Sequence, residues 1–260
     1  MRWQVTKNPS VEPVSLVEMK LHLRVDATAD DTLIAALTMA AREWCEVYEG
    51  RSYMAQTITA YMDTLQSVIL PRPPLVSVSS LKYYDVDGTQ QTLATSYYDV
   101  DVFAEPGRVL LAYNQTWPST RLMNNAVEII YQTGYMTKFT ASGATLTGTE
   151  AIFTDGDTVE LTNDIDDLPG GLSEKTRYWV RDVTGLTFSL AATSGGAAIT
   201  TSDDGTGVSL IGERLVPERV RSAIKLLTGH LYEHREQASE IKLDMIPFSV
   251  INLLTERSFS

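Results

Sequence analysis

The sequence predicts an α+β protein: a helical core carrying a small antiparallel β-sheet, interrupted by an inserted all-β domain of the immunoglobulin-like sandwich type. Three observations predict it. Amphipathic helical segments open and close the chain, and short segments rich in Thr, Tyr, Val and Ile lie between them. Residues 139–213 differ from their surroundings, holding 12 Asp and Glu against 3 Lys and Arg, whereas the remainder has 21 acids and 18 bases. That shift coincides with a change to Gly, Ser and Thr. It divides the chain into a discontinuous core, residues 1–138 and 214–260, and an insert, residues 139–213.

The first helix is expected in "SLVEMKLHLR", where Ser15 and Glu18 stand in capping-box register and satisfy N–H groups that a helix start leaves without partners. The second is expected in "DDTLIAALTMAAREWCEVYEG". Leu33, Leu37, Ala40, Trp44 and Tyr48 recur at steps of three and four, with acids at the front and Gly50 as the stop.

From Tyr53 the pattern becomes strand-like, in "MAQTITAYMD", "SVILP", "VSSLKYYD", "TQQTL", "YYDVDV" and "NAVEIIYQTGY". Asp87-Gly88 suits a tight hairpin turn, because glycine accepts a positive φ at little cost. Pro71, Pro73 and Pro74 place the neighbouring strands at an edge or a bend. The insert repeats the strand pattern in "EAIFTD", "DTVELT", "TRYWVRDV" and "LTFSLAA", separated by "LPGG", "TSGG" and "DDGTG"; about 75 residues suffice for a small sandwich. After it, Pro217 opens a helix whose apolar face carries Val220, Ala223, Ile224, Leu227 and Leu231. Pro247 opens a short terminal helix with Phe248, Ile251 and Leu254 at helical spacing.

Composition excludes several functions. A formal net charge of −12 argues against holding a nucleic-acid backbone, which draws its affinity from Lys and Arg that release counterions. No segment has the apolar length of a membrane span, and the N-terminus lacks the apolar stretch of a secretory leader, so no membrane partner is expected. Cys45 is the single cysteine; it is expected to be a buried packing thiol. There is no phosphate-binding G-x-x-x-x-G-K-[ST] loop, no G-x-S-x-G elbow and no G-x-G-x-x-G turn.

One motif does carry chemistry. "HLYEH" has the H-x-x-E-H order of a zinc peptidase, in which His230 and His234 would hold the metal and Glu233 activate water. A third protein ligand would have to come from Glu236, Glu240, Asp244, Glu256 or the distant His22. On a helical wheel both histidines fall in the arc of Ala223, Leu227 and Leu231, which makes them packing residues at the edge of the core. The acidic turns "DGD" (155–157), "DIDD" (164–167) and "SDDG" (202–205) offer oxygen ligands without a calcium-loop spacing. Tyr83-Tyr84, Tyr97-Tyr98 and Trp117 are expected to pack across strands rather than form a stacking platform.

The order of "SLVEMKLHLRVDATADDTLIAALTMAAREWCEVYEGRSY", "ILPRPPLVSVSSLKYYDVDGTQQTL", "VEIIYQTGY", "VPERVRSAIKLLTGHLYEHRE" and "IPFSVINLLTERSF" resembles the head–tail connector proteins of tailed bacteriophages, in particular the adaptors that dock on the portal. The resemblance covers about residues 13–137 and 214–258, and leaves the insert unexplained. It implies a structural virion protein made in the host bacterial cytoplasm, not an enzyme and without cofactor or metal. Such a protein would form a ring, commonly dodecameric, between the portal protein and a tail or neck completion protein, with DNA passing through the lumen. The interface residues expected on this basis are Phe248, Ile251, Leu254, Phe259, Arg219 and Arg235. Two other readings stay open: carbohydrate binding or adhesion through the insert, and the zinc peptidase.

Overall fold

In the computed structural model the described residues are 1–9, 11–148, 153–163, 168–174, 176–205, 209–211, 216–234 and 247–255. They form two compact units. One comprises Met1–Val11 and Met54–Leu215, the other Glu12–Tyr53 and Val216–Ser260.

Among its described residues the first unit is built of β-strands, apart from one 3-10 turn at Thr95–Tyr97. Its largest sheet contains β1 (Arg2–Lys7), β2 (Gln56–Met62), β4 (Leu75–Tyr84), β5 (Gln90–Thr92) and β8 (Val127–Thr133). Their order is β1-β2-β8-β4-β5, antiparallel at every step. A three-stranded sheet of β3 (Val68–Ile69), β7 (Arg108–Leu111) and β6 (Tyr98–Asp101) shares its core. Ile58, Leu81, Ile129 and Tyr131 from the large sheet bury against Leu70, Tyr98 and Val109, and Tyr83 and Trp117 pack around them. Tyr83, Tyr98 and Trp117 are thus packing residues, as expected, whereas Tyr97 is exposed. The opposite side of β2 and β8 is buried but polar, and Gln132 Nε2 donates to Thr57 Oγ1 at 2.8 Å there. Buried amides and hydroxyls paired in this way avoid the cost of an unsatisfied polar group.

The remaining strands close on themselves. β9 (Thr137–Ser142), β10 (Thr145–Gly148), β11 (Thr158–Asn163), β12 (Arg177–Thr184), β13 (Thr187–Ala191) and β14 (Ser209–Ile211) form a closed antiparallel barrel in the order β10-β13-β12-β11-β14-β9. Leu146, Leu161, Tyr178, Phe188 and Leu190 fill it, and the Phe153 and Phe188 rings pack tilted with centroids 5.1 Å apart. Closure comes from β14, which pairs with β11 through Leu161 and Ile211 on one side and with β9 through Ser209 and Phe139 on the other. A barrel made this way leaves no sheet edge unpaired.

The second unit is helical. It contains α1 (Leu16–Leu23), α2 (Asp31–Glu49), α3 (Glu218–Glu233) and α4 (Phe248–Thr255). Ser15 caps α1 by accepting from Glu18 N at 3.2 Å. Glu18 does not close the reciprocal half of the capping box; its carboxylate accepts instead from Arg221 Nη2 at 2.6 Å and Lys225 Nζ at 3.0 Å, both on α3. Gly50 ends α2 in the left-handed conformation, φ 67°.

The fold class therefore differs from the sequence expectation in two ways. The chain is mostly β, with three sheets and four helices among the described residues, and is not a helical core with a small sheet. The insert folds as a closed barrel, not as an immunoglobulin-like sandwich. The first difference arises because the strands of residues 54–133 assemble with an additional N-terminal strand, Arg2–Lys7, into two sheets with a core of their own. The second arises because the short β14 bridges the two strands that a sandwich would leave as edges.

Candidate functional site

The zinc-like motif is the first place to look for chemistry. Helix α3 ends at Glu233, and His234 is its C-cap with φ −111° and ψ 55°. The motif therefore runs to the helix end, where the His234 N–H still donates to the His230 carbonyl at 3.1 Å. His234 Nδ1 lies 2.9 Å from the His230 carbonyl oxygen, which as an acceptor holds the Nδ1 proton, and the two rings sit 4.6 Å apart. His230 is half-buried, whereas His234 is exposed rather than packed in the Leu227 arc. Among the described residues no group of three His, Cys, Asp or Glu side chains could share a metal ion. Glu236, Glu240, Asp244 and Glu256 lie outside the described residues.

The carboxylates of the acidic turns accept from backbone N–H groups and hydroxyls, some of them distant in sequence. Asp157 accepts from Thr154 N at 2.9 Å and from Thr154 Oγ1 at 3.1 Å, and Asp155 accepts from Val183 N at 2.9 Å. Asp203 accepts from Gly170 N at 2.9 Å, Ser202 Oγ at 2.9 Å and Gly205 N at 3.0 Å. Those donors, Gly170 N foremost, hold its carboxyl below the ordinary range. Three donors on one carboxylate stabilise its charge within the turn. The stretch 164–167 lies outside the described residues.

The helical unit holds a different kind of polar cluster. Arg42, buried on α2, donates from Nε to Glu12 Oε2 at 2.7 Å and from Nη1 to Glu46 Oε2 at 2.8 Å. The other Glu46 oxygen accepts the backbone N–H of Tyr53 at 2.7 Å. The Tyr53 hydroxyl donates to Glu49 Oε2 at 2.8 Å, and Glu49 Oε1 receives Arg219 Nη1 at 2.8 Å. Arg219 Nη1 also reaches the Leu253 carbonyl at 3.1 Å. This chain of charge-assisted bonds ties α2 to α3 and α4, and no catalytic base or nucleophile is set free by it. Burial lifts the Tyr53 hydroxyl far above its ordinary range, with Glu49 adding to the effect. It also lifts the Glu12 carboxyl, against the opposing pull of Arg42.

Of the expected interface residues, Arg219 is engaged within its own unit as described. Leu254 is buried and Ile251 half-buried on α4, and Phe248 begins that helix. Arg235 and Phe259 lie outside the described residues. The structure brings Arg219 together with the carbonyl of Leu253 on α4.

What sequence reading left open on α2 is which face it buries. Its buried face is Ile34, Thr38, Ala41 and Cys45 with the charged Arg42 and Glu46. The apolar stripe read from the sequence points outward: Leu33, Ala40 and Tyr48 are exposed, and Leu37 and Trp44 half-buried. Trp44 and Tyr48 stack on each other at 5.1 Å in that outer stripe. The signal available in the sequence was the i, i+4 pair Arg42–Glu46 on the face opposite the stripe, which reads as a self-satisfied ion pair able to go inside. Outward-facing apolar residues also include Val17 and Leu21 on α1, and Phe103, Tyr113 and Leu122, nearly fully exposed in the loops of the β unit.

No protein-family model matches the chain, and no curated protein matches it in sequence. In fold it is similar to chains of solved structures described as "Neck of empty GTA particle computed with C6 symmetry" (TM-score 0.55), "Virion of native gene transfer agent (GTA) particle" (0.54) and "Neck of native GTA particle computed with C12 symmetry" (0.53). Each is 14% identical, and the match covers 98% of this chain and 93% of the other. The shared fold thus extends through the barrel as well as the sheets and helices.

Proposed function

We propose that the chain is a structural subunit of the neck of a phage-like particle, acting as one member of a ring that joins the portal vertex to the tail or neck and surrounds the DNA path. The single observation that carries this reading is the fold similarity over nearly the whole chain to chains from particle necks, two of them computed with sixfold or twelvefold symmetry. The order of sequence segments that resembles phage connectors supports the same reading. Its partners are copies of itself, commonly twelve, a portal protein, and a tail or neck completion protein. The role requires interface burial repeated around an axis rather than catalysis. The net charge of −12 suits a conduit wall, because a surface without excess cations does not retain a polyanion by counterion release.

Within this reading residues 139–213 are a separable domain set into the neck subunit. Their geometry supports it: β9 and β14, at the two ends of the barrel, pair with each other from Thr137–Ile211 to Phe139–Ser209, so the chain enters and leaves at neighbouring positions. Surface insertions of this kind are tolerated because loop-closure entropy grows slowly with length. Phe248, Ile251 and Phe259 with Arg235 are the proposed contacts with a neighbour or the portal, while Leu254, buried, and Arg219, bonded to Glu49 and the Leu253 carbonyl, would hold α4 in place for them.

The test is negative-stain imaging of the purified chain, alone and mixed with the portal protein of the same particle. Annular particles, or chain bound at the portal ring, are expected. Monomers that ignore the portal would sink the reading.

A further inference from the structure

Helix α2 carries two apolar faces where its own unit uses one. Leu33, Leu37, Ala40, Trp44 and Val47 follow one another at steps of four and three, and together with Tyr48 occupy an arc of about 100° that points away from the buried face of Ile34, Thr38, Ala41 and Cys45. That alternation is the spacing at which one helix lays a continuous seam against another packing element, and it runs the full length of α2 without a charged residue inside it. Its margin on the Val47 side is acidic: Glu43 is 59% exposed there, and its contact with Arg42 Nη2 is a loose 3.7 Å. Asp31, at the start of the helix, is by contrast already paired with Lys20 at 2.6 Å. An exposed apolar strip of this length marks an interaction surface.

Helix α1 offers its counterpart. Val17 and Leu21, 71% and 80% exposed, lie one turn apart on its outer side, and Arg24 follows at the next step, exposed in the left-handed C-cap. It is an apolar strip with a basic end, against an apolar strip with an acidic margin.

We propose that the outward face of α2 is the seam between copies of this chain, packing on the Val17–Leu21 face of α1 of the next copy with Arg24 set against Glu43. The inference rests on the ring reading above and deepens it by assigning the two halves of the joint. A cyclic ring requires a heterologous joint, in which one surface meets a different surface of its neighbour and every copy presents both. The opposite charges at the two strips favour this pairing over either strip meeting its own equivalent, which would bring like charges to the same joint.

The test separates the two halves. Ala40→Glu with Val47→Glu places charge in the α2 strip, and Leu21→Glu places it in the α1 strip, all at exposed positions. Each variant alone should remain monomeric under the conditions in which the wild-type ring forms, with Cys45 still protected from alkylation as a check that the helical unit is folded. Mixed in equal amounts, the two variants should form a heterodimer and stop there, because each retains the half that the other has lost. Mass photometry or sedimentation velocity reads this directly. Rings that persist in the Ala40→Glu, Val47→Glu variant overturn the seam, and a mixture that stays monomeric overturns the pairing with α1. A wild-type chain that forms no ring, alone or on the portal, overturns instead the ring reading on which both depend.

Discussion

Arg42 and Glu46 lie one turn apart on α2 with Nη1 and Oε2 at 2.8 Å, and both side chains are almost wholly withdrawn from water, 3% and 4% exposed. Their burial is the reason the more apolar side of the helix is available for something else. Charges withdrawn from water survive only when paired and fully hydrogen-bonded, and here Glu12 and the Tyr53 N–H complete the set. Removing the shared cation leaves the Glu12 and Glu46 carboxylates uncompensated. Arg42→Ala is expected to destabilise the chain by about 3–5 kcal/mol, whereas replacing the charges together, Arg42→Leu with Glu12→Gln and Glu46→Leu, is expected to cost markedly less. Urea denaturation of the two variants beside wild type measures both; equal losses would mean that the cluster is not acting as a unit.

The single cysteine reports on the same region. Cys45 is fully buried on α2, and burial, with Glu49 and Glu46 nearby, pushes its thiol up to about 12. Reaction requires the thiolate and access to it. Native protein at pH 8 is therefore expected to resist a thiol reagent such as dithionitrobenzoate, and to react stoichiometrically in denaturant. Fast labelling of native protein would show that the helical unit opens readily.

Much of this architecture was legible in the sequence, and the failures have physical causes. The capping serine, the Gly50 stop, the Pro217 and Pro247 starts and the Asp87-Gly88 hairpin were readable because each depends on local backbone chemistry that the residue itself supplies. The orientation of α2 was not readable from hydrophobicity alone, because periodicity shows that an apolar face exists without showing what covers it. Barrel closure was invisible for a similar reason: the three residues Ser209–Ile211 carry no distinctive pattern, and their effect comes entirely from pairing with strands distant in sequence. The zinc-like motif was the reverse case, a strong local pattern beside which the fold places no third ligand among the described residues.

Lys7 and Glu174 connect β1 to the barrel at 3.1 Å, and Lys7 Nζ also donates to the Asn163 carbonyl. Partial burial alone would raise the Glu174 carboxyl; the Asn163 N–H, the Thr162 hydroxyl and Lys7 outweigh it and hold the group below its ordinary value. A carboxylate depressed in the folded state contributes stability that is present above the unfolded carboxylate pKa and is lost as pH falls through the folded one. Both side chains are about a third exposed, so the effect is modest. Glu174→Gln is expected to lower stability at pH 7 and to converge on wild type as the solution is acidified below the carboxylate range, measured by denaturation at a series of pH values. A difference that grows in acid would reverse the assignment.

Gly134, between β8 and β9, stands where the chain leaves the large sheet for the barrel. Its φ is 121°, a backbone region that residues with a side chain rarely adopt, and a Cβ there would meet the Met54 carbonyl oxygen at 2.3 Å and Ala55 N at 2.8 Å. Those are backbone atoms just ahead of β2, which cannot swing aside as the tip of a long side chain would. The Gly134 N–H is also committed, donating to the Pro74 carbonyl at 3.0 Å ahead of β4. Gly134→Ala is therefore expected to cost at least the 1–3 kcal/mol or so of a strained backbone, with the clash adding to it. Gly143→Ala provides the control, because its φ of 61° carries backbone strain while nothing lies within 4 Å of its Cβ position. Thermal melts of the two variants separate strain from collision: Gly134→Ala should fall well below Gly143→Ala, and equal melting temperatures would show that the β2 backbone yields at this junction.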